Sequence, residues 1–133
     1  MTKDIEKSKK FWLLAAKDNF ETAKILFEAH RYNFSIFMCQ QAVEALLKAV
    51  YIIKKKDRPE YIHKLPKLLD LINIDVPNSI DKKILRLDAH YIKARYKEDR
   101  FNSKIYNKEN AQLILKDTED IFEWFTKNLK LKI

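Results

Sequence analysis

The 133-residue chain contains no glycine at all. Phosphate-cradling loops of the P-loop and dinucleotide-fingerprint kinds need glycine so that backbone N–H groups can approach the phosphates, so those enzyme classes are excluded. Tight hairpin turns of β folds also rely on glycine, whereas a bundle of helices does not. One cysteine, Cys39, leaves no internal disulfide and no cysteine-rich zinc site. Three dispersed histidines, His30, His63 and His90, lack paired ligand spacing, so no metal and no cofactor is expected.

The run from Phe34 to Lys56 reads as one helix with almost no polar side. At 100° per residue, Met38, Ala42, Ala45, Leu46, Ala49 and Ile53 share a face, which Val43, Leu47 and Val50 widen beyond the arc that a surface helix needs. Its polar stripe is narrow: Gln40, Gln41, Glu44 and Lys48, flanked by Phe37 and Tyr51. Unpaired buried polar groups cost about 1–3 kcal/mol each, so this stripe must meet polar partners from elsewhere in the fold.

Around it, Ile5, Trp12, Ala16, Ala23, Leu26 and Phe27 keep helical spacing over residues 4–31, with Asp18 on one flank. The short break at residues 30–33 predicts an antiparallel hairpin, with Asn33 capping the second helix. Pro59 and Pro66 bracket a linker into a short helix over residues 65–72. Asn78 or Ser79 is expected to cap a fourth helix over residues 80–94, residues 95–107 read as a loop, and a last helix spans 108–129. The expectation is a single all-α domain over residues 1–133, an up-and-down antiparallel bundle of four to five helices.

Apolar residues make up 47% of the chain, enough for a core, and 27 Lys and Arg against 19 Asp and Glu give a formal charge of +8. That balance favours polyanionic partners. The first ten residues are mostly polar and no apolar run is read as approaching the roughly 20 residues that span a bilayer. A cytoplasmic protein with no membrane association is expected.

The residues from Trp12 through Ala49 resemble the HEPN family (higher eukaryote and prokaryote nucleotide-binding). They comprise Trp12, Ala15, Asp18 and Ala23, a break near Tyr32, then Gln40-Gln41-Ala42-Val43-Glu44 followed by Leu47-Lys48-Ala49. His63 before Leu65 and Leu68-Leu69, the pair Arg95-Tyr96, and Tyr106 ahead of the last helix continue the resemblance. It implies a helical bundle, usually a homodimer, often paired with a small nucleotidyltransferase in a toxin–antitoxin-like or nucleotide-handling system. Many members cleave RNA without metal through Arg, four to six residues, then His. This chain departs from that pattern: the places expected after Arg95 hold Arg100, Phe101 and Asn102. Arg58 and His63 satisfy the spacing between the second and third helices, and Arg86 and His90 stand one residue short of it on the fourth.

Metal-free cleavage needs an acid and a base near neutral pH and a cation for the phosphorane. No catalytic set is assigned; Arg95, Arg100 and His90 are the candidates. Glu44 and Lys48 form an i, i+4 pair. The expected ligand-binding cleft pairs Glu44 with Arg95, places Asp18, Gln41, Lys48 and Tyr96 nearby, and lies at a dimer interface. Lys54 to Arg58 either grip phosphates or complement a helix C-terminus. Three functions stay open: a nucleotide- or RNA-binding module acting with a nucleotidyltransferase, a metal-independent endoribonuclease toxin, and a non-catalytic interaction scaffold.

Overall fold

The computed structural model describes the backbone of residues 2–95 and 97–132, and their side chains apart from 91–97 and 100. Its helices are α1 (Lys3–Glu28), α2 (Tyr32–Lys55), α3 (Leu65–Ile72), α4 (Asn78–Arg95), α5 (Lys97–Arg100) and α6 (Lys108–Leu129), with no strand among the described residues. The all-α bundle expected from the sequence is therefore the fold observed.

The hairpin α1–α2 is the most extensive pairing, and α2 also packs on α3, α4 and α6. This explains the apolar circumference of α2. Ile36, Cys39, Ala42, Val43, Leu46, Leu47, Ala49, Val50 and Ile52 are all fully buried, pointing in every direction from its axis. By length and composition α2 could cross a membrane, contrary to the sequence reading that no run comes near that length; but 72% of the qualifying window is buried inside the fold, as a central core helix requires. Phe125, Ile114 and Ile121 from α6, Ile84 and Leu87 from α4, and Leu65, Leu68 and Ile72 from α3 close around it.

Local chemistry sets the helix ends. Thr2 caps α1, its hydroxyl accepting from the Ile5 amide at 3.2 Å, and Asn107 caps α6, accepting from the Asn110 amide at 2.8 Å. The expected cap Asn33 instead lies inside α2, its side chain accepting from the Phe34 amide at 2.9 Å, and the N-cap position is Arg31. On α4 the Pro77 carbonyl accepts from both Ile80 and Asp81, so the helix begins at Asn78 itself. The expected loop 95–107 is also corrected: Arg95 completes α4 and residues 97–100 form the short α5.

With no glycine available, the left-handed positions that close helices fall to other residues. His30 (φ 61°), Lys56 (φ 55°), Asn73 (φ 57°) and Lys130 (φ 53°) all take positive φ. At Lys56 the amide donates to the Ile52 carbonyl at 2.8 Å, which ends α2 and turns the chain into the linker.

Polar groups in the core are met by specific partners. Ser35 donates to the Ala23 carbonyl at 2.7 Å, tying α2 to α1. Arg86 donates through Nε and Nη2 to the two carboxylate oxygens of buried Asp117 at 2.7 and 2.9 Å, clamping α4 to α6.

Candidate functional site

The polar stripe of α2 is buried: Gln40 is fully inaccessible, and Glu44 and Lys48 are 5% and 3% exposed. Two elements supply its partners. After Lys56 turns the chain, the linker returns along α2, and His63 Nδ1 lies 3.1 Å from Glu44 Oε1. An ionised carboxylate can only accept, so Nδ1 carries the hydrogen and the tautomer of the His63 ring is set by Glu44. The other carboxylate oxygen accepts from Lys48 Nζ at 3.4 Å, one helical turn away.

Gln40 and Gln41 extend the network. Gln41 donates to Gln40 Oε1 at 2.7 Å, and Gln40 donates to the backbone carbonyl of His63 at 3.4 Å, so the stripe holds both the side chain and the main chain of that residue. The position of His63 is further fixed from α4, where Asp88 accepts from the Leu65 amide at 2.9 Å as α3 begins.

Aromatic rings complete the surroundings of Lys48. Its ammonium lies 4.6 Å from the ring centre of Trp12 on α1 and 5.8 Å from that of Tyr61 in the linker. Buried from water, the cation is compensated by one carboxylate and two aromatic faces. Tyr61 also meets the His63 ring edge-on at 4.7 Å while remaining 89% exposed. The cluster thus runs from a sealed interior at Gln40 and Lys48 to a solvent-facing margin at His63 and Tyr61. It combines a solvent-facing imidazole, fixed by a buried carboxylate, with a buried ammonium, a set able to hold or move a proton at the protein margin.

Of the residues expected in the cleft, the structure brings Gln41, Glu44 and Lys48 together. Asp18 is exposed on α1 and takes no part in the described contacts of the cluster; α1 contributes Trp12 instead. Tyr96 lies outside the described residues, as do the side chains of Arg95 and Arg100, although α4 and α5 carry the backbone of both. The described partners of Glu44 are His63 and Lys48; the pairing with Arg95 expected from the sequence involves a side chain outside the described residues. His90 sits half-buried on α4 with its ring 6.0 Å from that of Tyr106, while Arg86, its neighbour one turn back, is committed to Asp117. Among the described residues no group of three or more potential metal ligands forms.

Sequence reasoning assigned His63 to the opening of α3 and missed its contact with Glu44. The available signal was the length of the linker: with α2 ending at Lys55 and α3 starting at Leu65, the intervening chain has to fold back toward α2.

Comparison with known proteins agrees with this architecture. A candidate toxin of Methanocaldococcus jannaschii is 28% identical over 135 residues, spanning 92% of this chain and 89% of that protein. The crystal structure of a Thermus thermophilus protein superposes with a TM-score of 0.74 at 24% identity, covering 90% of this chain and 96% of that one. The structure of an archaeal HEPN homologue does so with the same TM-score at 19% identity and the same coverage. The model of the HEPN domain family matches residues 9–129, from the first turns of α1 to the end of α6, and the chain belongs to that family.

Proposed function

We propose that this chain is a toxin-like HEPN module that binds a nucleotide or RNA in the cleft around Gln41, Glu44, Lys48 and His63. In this reading Arg95 and Tyr96, at the α4–α5 junction, complete the cleft, the module works as a homodimer, and a separate small nucleotidyltransferase is its partner. The observation that carries the reading is the buried Lys48–Glu44–His63 cluster reaching the surface at Tyr61. The imidazole of His63, 29% exposed, and the open ring of Tyr61 leave the edge of the cluster accessible to a ligand. The relation to the M. jannaschii candidate toxin supports the toxin-like assignment.

The test measures binding of ATP and of a fluorescent oligoribonucleotide to wild type, Lys48→Met and Arg95→Ala, with circular dichroism confirming the fold. The reading requires at least a tenfold affinity loss in a folded variant. Unchanged affinity accompanied by lost stability in both would show the cluster to be structural only. Co-purification from the native host tests the nucleotidyltransferase, and light scattering tests the dimer.

A second reading is favoured by one feature, the imidazole that Glu44 orients at the protein margin. An endoribonuclease in which His63 stands in for the displaced histidine would use it as the acid or base, with an arginine near the α4–α5 junction against the phosphorane. Incubation with total RNA in EDTA decides: cleavage lost in His63→Ala establishes the enzyme, and intact RNA removes it.

A further inference from the structure

The net charge is unevenly placed. Residues 3–10 and 54–64 hold nine Lys and Arg against four Asp and Glu, so 19 residues carry five of the chain's eight net positive charges. The fold brings these stretches to the same end of the α1–α2 hairpin. The two helices run antiparallel, Ser35 meeting Ala23 and Lys48 meeting Trp12, so the start of α1 lies beside the end of α2. Arg58 in the linker reaches Asp4 in the first turn of α1 at 3.9 Å, both side chains largely exposed. Lys54, Lys55 and Lys56 are exposed alongside, as are Lys3, Lys7 and Lys10.

Aromatic rings stand in the same region. Tyr61, three residues beyond Arg58, is 89% exposed, and Phe11 is 59% exposed where it packs edge-on against Trp12. Cations beside open aromatic faces are what an unpaired strand requires, since its phosphates need counter-charges and its unstacked bases need π surfaces. A duplex hides its base faces and would gain nothing from Tyr61. An anionic bilayer plane would bring Asp4, Asp57 and Glu60 against its own charge, whereas a strand threads between them.

We propose that this end of the hairpin is a binding track for single-stranded nucleic acid, with Lys54, Lys55, Lys56 and Arg58 on successive phosphates and Tyr61 stacking a base. The proposal rests on the preceding reading that the ligand is a nucleotide or nucleic acid, and it names the class: a strand several nucleotides long, passing over Tyr61 toward the cleft.

The experiment is fluorescence anisotropy with a twelve-nucleotide oligo(U), the matching oligo(dT), and a blunt duplex, from 50 to 200 mM salt. Four phosphate contacts predict a slope of log affinity on log salt of about −2.8, or about a 50-fold loss over that range. The triple variant Lys54→Gln, Lys55→Gln, Lys56→Gln should flatten the slope to about −0.7. Tyr61→Ala should weaken oligo(U) about tenfold, while Tyr61→Phe binds like wild type. Equal binding of oligo(U) and oligo(dT) marks a track for either strand, and preference for oligo(U) marks RNA; both support the site. Four results overturn it: no oligonucleotide binding by wild type, wild-type binding by the folded triple and Tyr61→Ala variants, duplex preferred over both strands, or capture only by phosphatidylserine vesicles. ATP binding that Lys48→Met abolishes keeps the cleft reading alive in each of those cases, and its absence overturns that reading separately.

Discussion

Replacing Glu44 by glutamine tests the electrostatic core of the structure with almost no change in volume. The side chains of Glu44 and Lys48 are 7% and 4% exposed and their charged atoms are 3.4 Å apart. At an effective dielectric constant of about 20, their attraction is about 5 kcal/mol. Most of that offsets the cost of removing both charges from water, so the pair itself contributes little net stability. Glutamine removes the charge–charge attraction and leaves the Lys48 ammonium desolvated, with the Trp12 and Tyr61 rings, worth about 1–2 kcal/mol, as its remaining compensation among the described residues. It also gives His63 Nδ1 a neutral acceptor in place of a carboxylate. The expected loss is therefore about 3–4 kcal/mol, inside the range measured when one partner of a buried pair is deleted.

Urea unfolding followed by circular dichroism reads this loss as a fall in midpoint at constant m. The double variant Glu44→Gln, Lys48→Met supplies the decisive comparison. With the orphaned ammonium gone, it should recover at least about 2 kcal/mol relative to Glu44→Gln alone. A Glu44→Gln cost below about 1 kcal/mol, or a double variant no better than the single one, would show that water solvates the cluster and would refute the argument.

Lys56→Gly should stabilise the protein by about 0.5–1 kcal/mol, seen as a higher urea midpoint, because Lys56 holds φ at 55° where a side chain is strained. The thiol of Cys39 is pushed up to about 12 by burial, so it should resist alkylation at pH 8 in the native state and react at the rate of unfolding, checked by mass spectrometry in increasing urea. Asp120 is held below the usual carboxylate range, first by its hydrogen bond from Lys83 and then by Lys116, against the opposing effect of burial. A depressed folded value means that its stabilisation is present above about pH 4 and is lost as pH falls through the folded value. Asp120→Asn should therefore lower stability by about 0.5–1 kcal/mol at pH 7 and by nothing measurable near pH 2, as thermal melts across that range would show. Arg86→Leu strips the carboxylate of Asp117, itself 2% exposed, of its bidentate partner and should cost about 3 kcal/mol by urea unfolding.

What could be read from the sequence follows from the range of each interaction. Helical periodicity is a local property, and it located α3 and α6 at their observed limits and α1, α2 and α4 within a few residues. Asn33 shows the weakness of composition at a helix start: a good capping residue lost the position because Arg31 N–H donates to the Leu26 carbonyl at 2.8 Å in closing α1, so the chain had already turned. Residues 97–100 carry no apolar stripe, which is why a loop is expected there; the single turn α5 forms against the end of α4.

The site divides along the same line. That Gln40, Glu44 and Lys48 are buried, with Gln41 half-buried beside them, follows from the apolar residues on either side, and the requirement for polar partners follows from the cost of burying them alone. Which partners satisfy the requirement is settled by the path of the chain after Lys56. A left-handed residue there, where glycine would ordinarily stand, swings the linker back so that Tyr61 and His63 arrive over the stripe. In the proposed track, side chains rather than a glycine-rich backbone loop meet the phosphates. In this chain the cations suited to that task lie at the end of α2 and in the linker beyond it, next to the imidazole that Glu44 orients.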